Sequence, residues 1–206
     1  MVALTLSETD KRRIESAVAE IEAHSSAEIL VVTAHSASDY ADAVALGAAA
    51  AALLGGALAA VLWPIPALTI VAGQMAVFAV AWIALTFGRA GHWLVPQAVH
   101  MLRAKRAAAL EFARLVNAQT ADKRGLLIYL SFAERHIEIL ADSGIARIVP
   151  DARWQDIIDS FPTALRERSL GDALVETVQR CGGILTSSFP PQAGQRNEMT
   201  DRIVER

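Results

Sequence analysis

Residues 43–88 have the sequence AVALGAAAAALLGGALAAVLWPIPALTIVAGQMAVFAVAWIALTFG. These 46 residues include no Asp, Glu, Lys, Arg or His. A membrane-spanning helix needs about 20 apolar residues to cross a hydrocarbon core of about 30 Å, so the stretch has room for two helices and a tight turn. Pro64 and Pro66 disrupt helix interiors, so the turn between the two helices is expected at Trp63–Pro66. We predict two spans, Val44–Leu62 and Ala67–Phe87.

The alternative explanation of this stretch is a buried helical hairpin in the core of a soluble protein. The length of the uncharged run favours the membrane, because a soluble core rarely needs 46 consecutive residues without a charge. The lipid bilayer is therefore the first partner that the sequence predicts.

Basic residues near the spans predict the orientation, because Lys and Arg are enriched in cytoplasmic loops. The turn between the spans has none, whereas both flanks carry several: Lys11, Arg12 and Arg13 before the first span, and Arg89, Arg103, Lys105 and Arg106 after the second. We therefore expect a multi-pass protein of the cell inner membrane with both termini in the cytoplasm.

Outside this stretch the composition is that of an ordinary globular domain. The whole chain is 53% hydrophobic and 20% charged, and its formal net charge is −3. A general nucleic-acid binder usually carries a basic face, so we expect no nucleic-acid partner. The single cysteine, Cys181, excludes an intramolecular disulfide and fits a reducing compartment.

The remaining segments alternate between helical and strand patterns. The spacing of apolar residues predicts four helices, and short runs of β-branched or apolar residues predict three strands. The helices are expected at Ser7–His24, Pro96–Ala118, Asp151–Leu165 and Leu170–Leu185, and the strands at Glu28–Thr33, at Leu126–Leu130 after Gly125, and at His136–Ala141. The last two strands should pair as an antiparallel hairpin, because only a short polar turn separates them.

This order predicts an α/β fold, a small layered domain with a central mixed sheet flanked by helices and interrupted by a two-helix transmembrane hairpin. The domain is expected to consist of residues 1–42 and 89–189, with the hairpin at 43–88. Residues 190–206 follow Pro190 and Pro191 and are expected to form a polar, loosely ordered tail.

Two segments of this domain resemble the TPM-domain family. They are SSAEILVVT at residues 25–33 and TADKRGLLIYLSFAERHIEILADSGIARIVPDARW at residues 120–154. The order and spacing of an Ala-Glu-Ile strand, an acidic loop before an apolar strand, an Arg-containing turn and a Gly-containing loop carry the resemblance. It covers Ser7–Phe189 without the hairpin, and is strongest to the bacterial membrane-anchored branch of the family.

The resemblance implies a central sheet flanked by helices, and it says less about activity. Plant members are linked to photosystem II repair and have been proposed to be weak acid phosphatases, and some members bind divalent metal at acidic loops. This chain has Asp122-Lys123-Arg124-Gly125 in place of an Asp-Asn-Gly loop, and the lone Gly144 where many members have two glycines. Both departures weaken the expectation of a calcium site and of phosphatase activity.

Three carboxylates are the candidate metal ligands. The start of the first strand of an antiparallel hairpin lies beside the end of the second, which brings Asp122 near Asp142. Asp151 opens the next helix and should lie at the same end of the sheet. Carboxylate oxygens suit Ca²⁺ or Mg²⁺, although the positive charges of Lys123 and Arg124 predict weak binding or none.

Simpler roles exist for the same residues, and we favour them. Asp151 can be an acid at a helix N-terminus, Asp142 a turn residue, and Asp122 the partner of a neighbouring cation. The turn Glu134-Arg135-His136 could hold phosphate, but a solvated hairpin tip is the preferred explanation. Cys181 lies on an apolar helix face and is interpreted as a buried thiol rather than a nucleophile.

Two hypotheses of function follow. The first, which we favour, is a non-enzymatic protein-interaction module that binds a membrane or cytoplasmic protein during membrane-protein assembly, repair or quality control. It requires no cofactor. The second is a weak metal-dependent phosphatase that uses Ca²⁺ or Mg²⁺ at Asp122, Asp142 and Asp151. The sequence has no Gly-rich phosphate loop and no pattern of a catalytic triad.

Overall fold

The computed structural model describes residues 6–38, 40–87, 95–116, 122–192, 199 and 202–206. The chain forms two compact units. One consists of Ser38–His100, and the other consists of Met1–Ala37 together with Met101–Arg206. The first unit contains the apolar hairpin and the second contains the α/β domain.

The hairpin consists of two long helices, α2 (Ala41–Leu62) and α3 (Ala67–Phe87). The prediction of two helices with a Pro-containing turn is confirmed. Helix α2 ends where Trp63 adopts an extended conformation, and Pro64 and Pro66 follow because neither can continue the hydrogen-bond ladder. Gly88 and Arg89, on which the predicted boundary and part of the predicted orientation rest, lie outside the described residues.

The α/β unit is built on a four-stranded mixed sheet with the order β3-β2-β1-β4. The strands are β1 (Glu28–Ala34), β2 (Gly125–Ser131), β3 (His136–Ala141) and β4 (Val204–Glu205). Strand β1 runs parallel to β2 and β4, whereas β2 and β3 form the predicted antiparallel hairpin. The α/β fold class and the mixed sheet are therefore confirmed.

Helices pack on both faces of this sheet. Alternate residues of the strands enter two separate hydrophobic clusters, because successive side chains of a strand point to opposite faces. Helices α1 (Glu8–Glu22), α6 (Asp151–Glu167) and α7 (Leu170–Ser188) contribute to the first cluster, and α4 (Gln97–Glu111) with the π-helical turn Phe112–Val116 contributes to the second.

Helix starts in this unit follow from side-chain caps. Ser7 accepts a hydrogen bond from the backbone N–H of Asp10 at 3.1 Å. Ser169 caps α7 in the same way through Asp172. Each cap satisfies one of the donors that a helix N-terminus leaves without an intrahelical partner.

Two features differ from the sequence prediction. The C-terminal tail was expected to be loosely ordered, but Val204–Glu205 forms β4. The backbone N–H of Arg206 donates to Thr33 at 2.9 Å, and its carbonyl accepts from His35 at 3.0 Å. A short helix, α5 (Ser143–Ala146), also occupies the loop after β3. Elements of two and four residues are too short to leave a periodic pattern in the sequence.

Candidate functional site

The loop before β2 and the loop after β3 are joined by backbone hydrogen bonds. The N–H of Asp142 donates to the carbonyl of Gly125 at 2.8 Å, and the N–H of Gly144 donates to the carbonyl of Lys123, also at 2.8 Å. The register of the hairpin pairs Leu126 with Ala141 and continues to Gly125 and Asp142. The predicted antiparallel hairpin thus extends to Gly125 and Asp142, and it places the two loops at one end of the sheet.

Asp142 is buried and holds the loop that follows β3. Its side chain accepts a hydrogen bond from the N–H of Ser143 at 2.6 Å, and its carbonyl accepts from Ile145 and Ala146 at 2.9 Å each. Only 4% of the residue is exposed. The carboxylate thus serves as the N-cap of α5, a role that explains an acid at this position without a ligand.

Asp122 and Asp151 are both exposed at the surface. Asp151 is the first residue of α6, where a negative charge interacts favourably with the helix dipole. Within the part of the chain that the structure describes, no group of three or more His, Cys, Asp or Glu side chains could hold a metal ion. Metal binding by Asp122, Asp142 and Asp151 therefore stays a prediction.

Glu28 is a further carboxylate at this end of the sheet, and the sequence analysis did not propose it as a site residue. It pairs with Gly125 in the parallel register, and Gly125 in turn pairs with Asp142. Paired residues point to the same face of a sheet, so Glu28 and Asp142 flank the glycine on one face. Both are buried, with 6% and 4% of their surface exposed. The Ala-Glu-Ile motif of β1 is the feature of the sequence that could have identified Glu28.

Gly144 is required by a close approach of two backbones. A Cβ atom at this position would overlap the carbonyl oxygen of Lys123 and lie 2.9 Å from that of Asp122. The single glycine retained in this loop therefore lets the segment after β3 pack directly on the loop before β2.

Replacing this glycine by alanine should destabilise the domain. We expect Gly144→Ala to lower the free energy of unfolding by about 1–3 kcal/mol, because an inserted methyl group must displace backbone. Gly183→Ala is the matched control. Gly183 lies on α7, and a Cβ atom there would meet nothing within 4 Å. Replacing this helical glycine by alanine should therefore stabilise the domain by about 0.5–1 kcal/mol. Urea unfolding of the full-length protein in detergent, followed by circular dichroism, measures both, and equal effects would contradict the packing argument.

The opposite end of the sheet carries the polar turn between β2 and β3. The carboxylate of Glu134 accepts hydrogen bonds from Ser131, from Ser36 at 3.1 Å and from the N–H of Ala37 at 3.1 Å. Arg135 adopts a left-handed conformation with φ 51°. Glu134 therefore ties the turn to the segment after β1 and has a structural role.

Negatively charged side chains lie at this end of the sheet and oppose phosphate binding. Burial, together with the negative charges of Glu134 and Glu111, raises the pKa of Tyr129 to about 12. His136 and Glu138 lie side by side on β3 with Nε2 and Oε2 2.8 Å apart. An anion placed beside Tyr129 would experience the same negative charges that hold the phenol protonated.

Cys181 is fully buried in the first cluster, and burial raises the pKa of its thiol to about 12. The interpretation as a buried thiol agrees with this environment, because the thiolate is the nucleophilic form. We expect N-ethylmaleimide to leave the native protein unmodified at pH 8 and to alkylate it fully in denaturant. Mass spectrometry of the intact protein measures the outcome, and rapid alkylation of the native state would contradict the burial.

Taken together, the described units make this chain an α/β domain with a four-stranded mixed sheet and an inserted apolar hairpin. The model of the TPM domain matches residues 98–184, so the family resemblance inferred from the sequence is confirmed over that segment.

The fold also has a solved relative. The chain is similar to the NMR structure of BA42 protein from the psychrophilic bacterium Bizionia argentinensis, with a TM-score of 0.61 and 16% sequence identity. The alignment covers 100% of this chain and 99% of that one. At this identity the likeness shows the fold alone. No curated protein matches the chain.

Proposed function

We propose that this protein is a TPM-like domain anchored in the cell inner membrane by α2 and α3, and that it acts as a non-enzymatic protein-interaction module in membrane-protein assembly, repair or quality control. The observation that carries the anchor is the exposure of the hairpin's apolar surface. The most apolar 18-residue window of α3 has none of its residues buried, and that of α2 has 17% buried.

Large apolar side chains account for this exposure. On α2 the exposed set includes Leu46, Leu53, Leu54, Leu58 and Val61, and on α3 it includes Leu68, Val71, Met75, Val80 and Ile83. A soluble core helix would bury such residues, and contiguous apolar patches of this kind mark membrane or partner surfaces. The 21 residues of α3 span about 32 Å, which matches the hydrocarbon core.

The packing of Gln74 also supports a lipid environment. Gln74 is the polar amide in the middle of α3, and its side chain fills the space where a Cβ atom of Gly56 would lie. The glycine thereby lets the amide pack against α2 instead of pointing into lipid. A polar side chain inside a membrane is expected at a helix–helix contact, where small residues allow close approach.

The proposed orientation places both termini in the cytoplasm. Arg103, Lys105 and Arg106 follow α3 on α4, and the turn at Trp63–Pro66 carries no charge. A periplasm-active phosphatase reporter fused after Arg206 should therefore be silent, whereas the same reporter inserted at the turn should be active. A strong periplasmic signal from the C-terminal fusion would reverse the orientation.

The proposal of a non-enzymatic module is supported by the roles of the candidate groups. Asp142 caps a helix, Glu134 fixes a turn, and the thiol of Cys181 is buried and protonated. Each of these assignments uses a reactive group for structure. Partner recognition then depends on the exposed surface of the domain, which includes Ile148 at 59% exposure.

Site-specific photocrosslinking in native membranes tests this role. A photoreactive amino acid at Ile148 should give one discrete adduct with a membrane or cytoplasmic protein. The same amino acid at Gly183, exposed on α7, serves as the control. Identical diffuse labelling from both positions would argue against a specific partner at the surface around Ile148.

The alternative is a weak metal-dependent phosphatase, which the family resemblance motivates and for which the buried carboxylates of Glu28 and Asp142 at one end of the sheet are the candidate groups. Calorimetry with Ca²⁺ and Mg²⁺ on the full-length protein and on Asp142→Asn tests the metal, together with p-nitrophenyl phosphate turnover. The interaction module predicts no turnover above the denatured control. Metal-dependent turnover that Asp122→Asn abolishes would establish the phosphatase instead, whereas submicromolar binding that survives Asp142→Asn would place the metal elsewhere.

A further inference from the structure

Helix α4 has one face that the domain leaves exposed. Leu102, Arg106 and Leu110 follow one another at intervals of four residues, so they lie in a row along that face. Leu102 is 48% exposed and Leu110 is 66% exposed. The opposite face is buried, since Ala104 and Ala108 have no exposed surface. The exposed row is therefore a surface feature of the domain and not part of its core.

The exposed face combines apolar and basic side chains. Met101, also exposed at 46%, extends the apolar part, while Lys105 and Arg114 add basic groups beside Arg106. Lys105 Nζ lies 4.0 Å from Glu138 and Arg114 lies 3.8 Å from Glu111, both at the limit of an ion pair. Such long pairs contribute little binding energy and leave the cations able to attract other anions.

The segment that carries this face contains little negative charge. Glu111 is the only acid in residues 97–116, and its side chain is 14% exposed. The face thus presents three positive charges and three large apolar groups, and Glu111, the last residue of α4, does not belong to it. Helices with this pattern bind the headgroup region of anionic membranes.

A short length of chain joins this face to α3, the proposed second membrane span. Helix α3 ends at Phe87 and α4 begins at Gln97, and ten residues of chain span at most about 35 Å. Basic groups within about 10 Å of an anionic surface are attracted to it at physiological salt. The length of chain between α3 and α4 therefore allows the basic face to contact an anionic membrane surface.

We propose that the exposed face formed by Met101, Leu102, Lys105, Arg106 and Leu110 of α4, together with Arg114 of the π-helical turn that follows it, binds anionic phospholipid headgroups of the bilayer that holds the hairpin. This inference rests on the proposed membrane anchor. The three basic side chains contact lipid phosphates, and the leucines and the methionine insert between headgroups. Each basic residue near an anionic surface contributes about fivefold to partitioning, so the three together contribute about a hundredfold.

A fluorescent depth probe tests the proposal on the full-length protein. Ala109→Cys on the exposed face is labelled with an environment-sensitive dye, while buried Cys181 stays in place. The protein is reconstituted into nanodiscs of phosphatidylcholine alone or mixed with phosphatidylglycerol, each with a headgroup-level nitroxide quencher. We expect a blue shift and strong quenching only with phosphatidylglycerol, and loss of both in 1 M salt, where the Debye length falls to about 3 Å. A dye at Ala152→Cys on exposed α6 should show neither.

Matched charge variants separate this face from general electrostatics. The triple variant Lys105→Gln, Arg106→Gln and Arg114→Gln should lose the phosphatidylglycerol-dependent quenching. The control Arg147→Gln, Arg153→Gln and Arg166→Gln removes the same charge from exposed sites elsewhere and should retain it.

Three results would overturn the proposal: equal quenching in both lipids, undiminished quenching in the α4 triple variant, or no quenching at Ala109→Cys in protein that co-purifies with the discs. The last result leaves the anchor intact. Failure to co-purify with nanodiscs at all would instead overturn the anchor, and this inference with it. Protection of the dye by a co-purifying protein, independent of lipid charge, would identify the face as a protein-binding surface and also overturn the lipid proposal.

Discussion

Replacing Val77 by arginine should prevent stable insertion of α3. Val77 lies at the middle of the helix Ala67–Phe87 and is 44% exposed, so a guanidinium at this position would face the centre of the hydrocarbon core. Arginine there costs about 2.5–3.5 kcal/mol in membrane insertion, which reduces the inserted population by about a hundredfold. Membrane flotation after expression should show most of Val77→Arg lost from the membrane fraction or degraded.

Ile148→Arg is the control for this prediction. Ile148 is 59% exposed and lies in the α/β unit, after α5. The same change at this position should leave the protein in the membrane fraction, because the arginine remains in water. Equal recovery of the two variants from membranes would mean that Val77 does not lie in lipid.

Replacing Phe161 by alanine should destabilise the α/β unit strongly without releasing the protein from the membrane. Phe161 lies on α6, is 2% exposed, and packs in the same cluster as Trp154 and Ile157. Removing a buried phenylalanine costs about 3–5 kcal/mol, a large part of a typical stability of about 5–15 kcal/mol. Urea unfolding in detergent should show a lower midpoint, while flotation stays unchanged.

Ile148→Ala provides the matched control, since a mostly exposed side chain contributes within about 0.5 kcal/mol. Release of Phe161→Ala from membranes would show that anchoring depends on the α/β core and not on the hairpin alone. A midpoint equal to that of Ile148→Ala would contradict the assignment of Phe161 to the core.

The long elements of this protein were predictable because each carries many residues of one pattern. The 46 uncharged residues specify two helices, and two prolines separate them. The β2–β3 hairpin followed from two apolar runs and a short turn, and its register then placed Asp142 beside Gly125. In these segments the structure that the local sequence favours is also the one that tertiary packing requires, so sequence and structure agree.

The elements that were missed depend on contacts between distant segments. Strand β4 exists because Thr33 on the open edge of β1 accepts a backbone hydrogen bond from Arg206 and His35, just after β1, donates one to it. Nothing in the sequence of a polar tail indicates that partner. Glu28 became a candidate only when the parallel register placed it beside Gly125. The sequence offered Asp142 as a turn residue, whereas its burial and its role as the N-cap of α5 depend on the tertiary structure.

Extraction of native membranes with alkaline carbonate tests the membrane anchor most directly. Peripheral proteins are released by this treatment, whereas proteins held by spanning helices stay in the pellet. The exposed apolar surface of α2 and α3 predicts that the full-length protein remains in the pellet and leaves it only in detergent. Deletion of residues 43–88 should release the remainder. Recovery of the intact protein in the carbonate supernatant without detergent would contradict the account.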